Sequence, residues 1–481
     1  MLKPIDRERR DGPLYPSSDR NLRGFIDPKH LLLKIDANFD FVILTEFIEA
    51  KYDPAVGRPA VHPEVLVRAL LLDAIYNVGS CRQLRERISE NLAWRWFCYL
   101  ALEDVVFDHS TITVFIKRLG SDAFQNLLKR FNEELCRLNL LPPLTYADSS
   151  LVTANASTKA LTSTALPPAE FKAQATENDG VYAVLDKQPA VPEEGKPAKF
   201  EYRRYQDELG RLPLSRVDPD ARWRKPNNQS RAIFGYKENL IVDKSGFILA
   251  RGVTSADASD LEGIEPLLDR LPLEPRSLAA DTGYRSGRLR QRLRRGGITP
   301  YIPLHPNQET FGGAALASGE FTFHGDHLTC GQGKVLKPDF PNAKETVHYV
   351  ARQSDCQACP VRGACLAAKE TRKHVLVSRY ELEFRRARRI NETAAFGRQM
   401  SRRKTTVEGV FARLDRLDWD EARLRGREKV DCQASIAALA HNILKALTKV
   451  RFWRTVAQAG SLPPQPSWQI VSINPMPGSL I

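Results

Sequence analysis

SLAADTGYRSGRLRQRLRR, residues 277–295, packs three elements into a short stretch. A brief apolar run reads as a buried strand, Asp281 stands at its end, glycines make a turn, and an arginine-loaded helix follows. Upstream, LTYADSSLVTANAS (144–157) is a second apolar, β-prone stretch, and it carries Asp148. AIFGYKENLIVDKSGFILARGVTSAD (232–257) holds two β-like runs flanking DKSG, which predicts a hairpin turning at Gly246. DLEGIEPLLDRL (260–271) predicts a helix, and ITPYIPL (298–304) another strand. This interleaving through 144–304, resumed by helices after about 379, predicts an α/β core interrupted by an insertion.

Composition sets the frame. At 481 residues and 54.2 kDa the chain has room for roughly two to four domains. Its 42% apolar and 27% charged residues are globular proportions. Lys plus Arg number 71 against 58 acids, a net charge of +13, which makes a polyanionic partner plausible. No apolar run reaches 18 residues, and AALAHNILKAL (437–447) is broken by His441 and Asn442, so no membrane span is expected. The charged start MLKPIDRERRDGP has no secretory pattern, and eight cysteines are too sparse for a disulfide scaffold; both favour the cytoplasm.

The chain divides by pattern. Residues 1–56 form an N-terminal segment whose HLLLKID and FDFVILTEFIEA read as short helices. Residues 57–140 read as helical throughout. Pro63 and Glu64 suit a first turn, and Ser110 or Thr111 is a candidate cap for DHSTITVFIKRLG. That pattern fits a helix-turn-helix or a plain bundle, and Trp94 and Trp96 read as core. Residues 141–304 hold the first part of the α/β core, with 157–215 as an extended or disordered insertion. Residues 305–378 carry a cysteine-containing insertion, 379–450 the second part of the core, and 451–481 a proline-rich tail.

Three acids invite a chemical reading. A carboxylate in a strand such as Asp148 is costly unless it is paired or bound to a cation. Asp281 ends a strand where α/β sheets bind ligands. Glu408 lies in RRKTTVEGVFARLDRL (402–417), on the edge of a stripe formed by Val407, Val410, Phe411, Leu414 and Leu417. Taken singly, the aspartates read as turn or cap residues and Glu408 as the partner of Lys404 one turn earlier. Taken together, they are hard oxygen ligands suited to two divalent cations.

These stretches occur together with GRPAVHPEVLVRALLLDAIY (57–76), NLAWRWF (91–97), DPDARW (218–223), FGYKENLIVD (234–243) and AHNILK (440–445). In this order they resemble the DDE transposases of bacterial insertion sequences, specifically the branch with an N-terminal helical domain and a cysteine-bearing insertion. The likeness covers about residues 57–155 and 215–450. It implies an α/β ribonuclease-H-like core interrupted by a β-rich insertion, behind an N-terminal all-helical DNA-binding domain. It maps the catalytic, Mg²⁺- or Mn²⁺-binding acids to Asp148, Asp281 and Glu408. It also implies cutting at transposon inverted repeats, strand transfer into target DNA, double-stranded DNA as partner, and a homodimer on DNA. The family's tyrosine before the glutamate is Ser401 here, and its lysine seven residues after it is Asp415, flanked by Arg413 and Arg416. Asp415 is expected to pair with a nearby arginine.

Residues 371–430 hold 17 Lys or Arg against nine acids, and Arg285, Arg288, Arg290, Arg292, Arg294 and Arg295 follow Asp281. Of these basic residues, Arg285, Arg288, Arg402, Arg403, Lys404, Arg413 and Arg416 are the expected contacts to DNA phosphates. Cys330, Cys356, Cys359 and Cys365, with one C-x2-C pair, are candidate ligands of a structural Zn²⁺; the alternative is four reduced thiols. Two further functions fit the same residues: a catalytically inactive DNA-binding repressor descended from such an element, and a nonspecific Mg²⁺-dependent nuclease.

Overall fold

The computed structural model describes residues 2–14, 20–53, 55–157, 161–162, 214–215, 217–225, 232–305, 321–339, 346–367, 369–417 and 419–458. Most of the expected insertion at 157–215, and the tail beyond 458, lie outside the described residues.

The N-terminal part is helical: α1 (Arg7–Asp11), α2 (Leu31–Asn38), α3 (Phe41–Glu49), α4 (Pro63–Tyr76), α5 (Cys81–Glu90), α6 (Leu92–Phe97) and α7 (His109–Arg137). Pro63 opens α4 as its first residue, and the His62 ring accepts the Glu64 amide. Nearly every α4 residue is buried, including Glu64 and Arg68. The Arg68 guanidinium reaches Glu64, Asp36 and the Tyr99 hydroxyl, so these buried charges are paired. Trp94 and Trp96 are buried, as their sequence setting predicts. The cap of α7 is Asp108, whose carboxylate accepts the Ser110 amide at 2.9 Å, rather than Ser110 or Thr111. A carboxylate two residues before Ser110 serves the first-turn amides and also suits the positive end of the helix. Gly120, at φ 70°, kinks α7.

The central sheet is built from β1 (Leu144–Thr153), β4 (Arg222–Arg224), β5 (Ile233–Asp243), β6 (Ile248–Ser255), β7 (Ser277–Ala279) and β8 (Thr299–Tyr301); β2 (Leu161–Thr162) and β3 (Leu214–Ser215) form a separate pair. β5 runs antiparallel to β1 on one side and to β4 and β6 on the other, while β7 and β8 run parallel to β1. The expected hairpin is β5–β6, with Gly246 at φ 82° in its turn. One face is covered by α8 (Asp260–Leu268) and α9 (Gly287–Arg295) through Ile264, Leu267, Leu289 and Leu293.

A second sheet, entirely antiparallel in the order β13-β12-β11-β10-β9, comprises β9 (Phe321–Phe323), β10 (Leu328–Cys330), β11 (Val335–Pro338), β12 (Thr346–Ala351) and β13 (His374–Ser378), with α10 (Gln353–Gln357) and α11 (Arg362–Cys365) inserted. It has its own apolar cluster around Phe321, Leu328, Leu336 and Val377. This is the β-rich insertion anticipated from the sequence.

Then α12 (Glu381–Asn391), α13 (Ala394–Arg416) and α14 (Arg427–Gln458) return the chain to the core. α14 extends eight residues into the stretch read as tail. Leu71 of α4, Leu127 of α7, Val242 and Ile248 of the sheet, Val410 of α13 and Leu439 of α14 all belong to one apolar cluster. The helical region and the sheet therefore share a core, with α14 between them.

Candidate active site

Register explains the first two acids. β1 pairs in parallel with β7, Thr145 opposite Leu278 and Tyr146 opposite Ala279. Two residues further along each chain stand Asp148, midway along β1, and Asp281, just past the end of β7, so the pairing sets both carboxylates at the same level of the sheet. Asp281 also caps the turn that follows, accepting the Gly283 amide at 2.8 Å. A Cβ at residue 283 would come within 2.4 Å of Asp260 and 2.9 Å of Asp281, so any larger residue there would displace one or both carboxylates.

A cation joins the pair. Arg403, on the inner face of α13, lies 2.8 Å from Asp148 and 3.5 Å from Asp281 through the same nitrogen, Nη2. Its Nε donates to the Ala147 carbonyl at 3.2 Å. Burial pushes the Asp148 carboxyl up to about 6; Arg403 pulls it down, and Asp281 adds to the rise.

The structure adds neighbours that the sequence did not mark. Ser149 donates its hydroxyl to Asp260 at 2.8 Å, and the Lys237 ammonium lies 3.0 Å from the same carboxylate. The buried Tyr284 hydroxyl is driven well above its usual range by burial and then by Asp260, Asp148 and Asp281. Asp260 opens a helix after Ser259, a place where an acid ordinarily complements the helix end, so nothing in the sequence set it apart.

Glu408 does not join them. It is exposed on α13, and Arg403 and Glu408 are five residues apart, about 140° around the helix. Among the described residues, no three of His, Cys, Asp and Glu come together as a ready metal site. None of the ion pairs of the described residues joins Glu408 to Lys404, or Asp415 to Arg413 or Arg416. Both expected pairings are corrected: these are long side chains on a solvated face, where such pairs gain little. The Asp415 carboxyl is raised by partial burial and by Asp420.

With that geometry in place, comparison with known proteins is informative. A family model described as a transposase domain matches residues 20–118, and one described as a transposase DDE domain matches residues 329–447. Both models describe transposases, and together they cover less than half of the chain. A protein named as transposase for insertion sequence element IS402 of Burkholderia cepacia is 37% identical over 87 residues, 16% of this chain and 41% of that protein. The transposase for insertion sequence element IS1106 of Neisseria meningitidis serogroup B is 36% identical over 77 residues, 16% of this chain and 26% of that protein. The chain thus spans less than half the length of these relatives. A cryo-EM structure of the piggyBac transposase synaptic complex with hairpin DNA aligns over 92% of this chain and 84% of that one, at 12% identity and TM-score 0.29, a likeness too loose to carry the fold.

The DDE match contains Glu408 but neither aspartate, so the pairing of Asp148 with Asp281 rests on the sheet register alone. The basic residues divide. Arg402, Lys404, Arg413 and Arg416 are exposed on α13, and Arg285 is exposed after β7. Arg403 points inward instead, and Arg288 pairs with Glu265 at 3.1 Å. Arg292 and Arg294 pair with Asp269 and Glu383, and Arg290 is buried, donating to the Ile302 and Pro303 carbonyls. The arginine run after Asp281 is therefore largely structural. Cys330, Cys356, Cys359 and Cys365 all line one cavity of about 320 Å³ beside the second sheet. No helix of the described residues is long and apolar enough to cross a membrane.

Proposed function

We propose that this chain is an active DNA transposase in which Asp148, Asp281 and Glu408 hold Mg²⁺ or Mn²⁺ for cleavage at transposon ends and strand transfer into target DNA. The observation that carries the reading is the pair Asp148 and Asp281, brought to one level by the parallel pairing of β1 with β7 and bracketing one positive charge. Their oxygens are the donor type that hard divalent cations take. The sheet order β6-β5-β1-β7-β8, with only β5 reversed, supports a ribonuclease-H-like core.

Two cations held there would activate the attacking oxygen and stabilise the leaving oxygen of an in-line displacement. The chain's own residues do the rest. Asp148 and Asp281 fix the metal position from the rigid sheet. Glu408 completes it from α13 once double-stranded DNA is bound. Arg402, Lys404, Arg413 and Arg416, exposed on the same helix, grip phosphates and set affinity rather than sequence choice. No covalent enzyme intermediate is needed, because water and then a DNA 3′-hydroxyl are the nucleophiles. Handling two ends at once calls for a homodimer on DNA.

The four cysteines are read as a structural Zn²⁺ site: thiols are the donors that zinc takes, and the four line one cavity, although no three of them stand close enough here to form a ready site. Elemental analysis near one zinc per chain supports this; near zero removes it.

The test of function is a labelled duplex carrying the element's terminal repeats, offered with Mg²⁺ to the wild type and to Asp148→Asn. Joining to target DNA, lost in the variant, is the expected result. Cutting of any duplex indicates a nuclease, and binding without chemistry indicates a repressor.

A further inference from the structure

Arg403 stands where a metal ion is expected. Its Nη2 touches both Asp148 and Asp281, and its Nε is tied to the backbone of β1 at Ala147. The side chain is 11% exposed, whereas its neighbours Arg402 and Lys404 are exposed. An arginine on a helix bordering solvent is free to extend outward. Here it turns in, along the buried stripe it shares with Val407, Val410 and Leu414. A guanidinium and a divalent cation cannot share this place, since each would repel the other at contact distance. Glu408 meanwhile is exposed and does not join them, so Asp148 and Asp281 share this place with one internal cation and the third acid stands apart.

We propose that Arg403 is a positioning residue that fills the cation place between Asp148 and Asp281 until DNA arrives, and then surrenders it to the metal by swinging out to a backbone phosphate. Phosphate is the natural competitor, because its paired oxygens match the guanidinium fork as a carboxylate does. Arg403 thereby couples the two ligands. DNA strengthens metal binding, metal strengthens DNA binding by the same factor, and the chain without DNA holds little metal with which to cut. This rests on the reading that Asp148 and Asp281 are the metal ligands.

The test measures Mn²⁺ binding to the full chain, by electron paramagnetic resonance of the free ion, without DNA and with saturating duplex after subtracting the duplex's own binding. Wild type is expected to bind about tenfold more tightly with duplex than without. Arg403→Gln is expected to bind Mn²⁺ about tenfold more tightly than wild type without DNA, with the gain from duplex largely gone. Asp148→Asn abolishes binding in either background. If Arg403→Gln binds no more tightly while Asp148→Asn still abolishes binding, the proposal falls and the metal assignment stands. If Asp148→Asn leaves binding unchanged, both fall. Should Arg403→Gln fail to fold by circular dichroism, the wild type decides: equal Mn²⁺ affinity with and without duplex overturns the proposal.

Discussion

Arg251 and Arg403 each stand between two carboxylates, one of them on the central sheet. Arg251 is fully buried in β6. It makes two bonds to Glu238 of β5, and bonds to the carboxylate and carbonyl of Asp431 and to the Ser435 hydroxyl, both on α14. Asp431 also accepts the Val253 amide. Burial works against the charge on Arg251, but Asp431 and Glu238 outweigh it and hold the guanidinium protonated. Arg403 is different. To Asp148 and Asp281 it has one close contact and one long one, and Asp281, just past the end of β7, is 44% exposed. A saturated centre fastens elements together; a half-satisfied one with a carboxylate open to solvent keeps donors in reserve for a ligand.

The comparison can be broken in order of expected effect. Asp148→Asn, Asp281→Asn and Glu408→Gln should each cut strand cleavage by about 1,000-fold or more, the rate equivalent of several kcal/mol of charge stabilisation, with little change in melting temperature. Gel assays on end-bearing duplex, read against thermal unfolding, check this; a variant that loses activity only by melting counts against it. Arg251→Ala should do the reverse, destabilising by about 3–5 kcal/mol because it strands two buried acids, as denaturant titration would read. The same titration on Arg403→Gln should give a loss well below that. If the two arginines cost the same, the distinction between fastener and reserve fails.

A third buried group probes pH. His441 of α14 is buried beside the Gly246 carbonyl at 3.0 Å, near Arg413 and Lys445. Burial lowers its pKa to about 4, with Arg413 and Lys445 adding to the fall. The folded state therefore binds its proton less readily than the unfolded chain. The contribution is intact above the unfolded value near 6.5 and is lost as pH falls toward 4. His441→Gln should flatten the stability–pH curve over that window by on the order of 1–3 kcal/mol, the smallest of these effects. An unchanged slope would mean that His441 titrates normally.

Much of this was legible in the residues, for identifiable reasons. The β5–β6 hairpin announced itself through a glycine turn between two apolar runs. Asp148 and Asp281 were legible as strand acids, but their adjacency depends on register across 133 residues, which no local pattern encodes. Arg403 was misread because RRK looks like a surface charge run. Yet it lies four residues before Val407 and seven before Val410, on the buried stripe, so helical periodicity carried the signal. Arg290 was lost in the same way, lying beside Leu289 and Leu293 on the inner face of α9. Asp260 and Lys237 offered no signal, because Asp260 draws its partners Ser149 and Lys237 from two separate strands.

The central claim is that Asp148, Asp281 and Glu408 surround one metal site when DNA is bound. Fe²⁺ in place of Mg²⁺, with a reductant, generates hydroxyl radicals that cut the polypeptide near the bound ion. On the full chain bound to end-bearing duplex, fragments should map to the neighbourhoods of residues 148, 281 and 408 and disappear in Asp148→Asn. Cuts near 148 and 281 with none near 408, or cuts that persist in Asp148→Asn, would contradict the account.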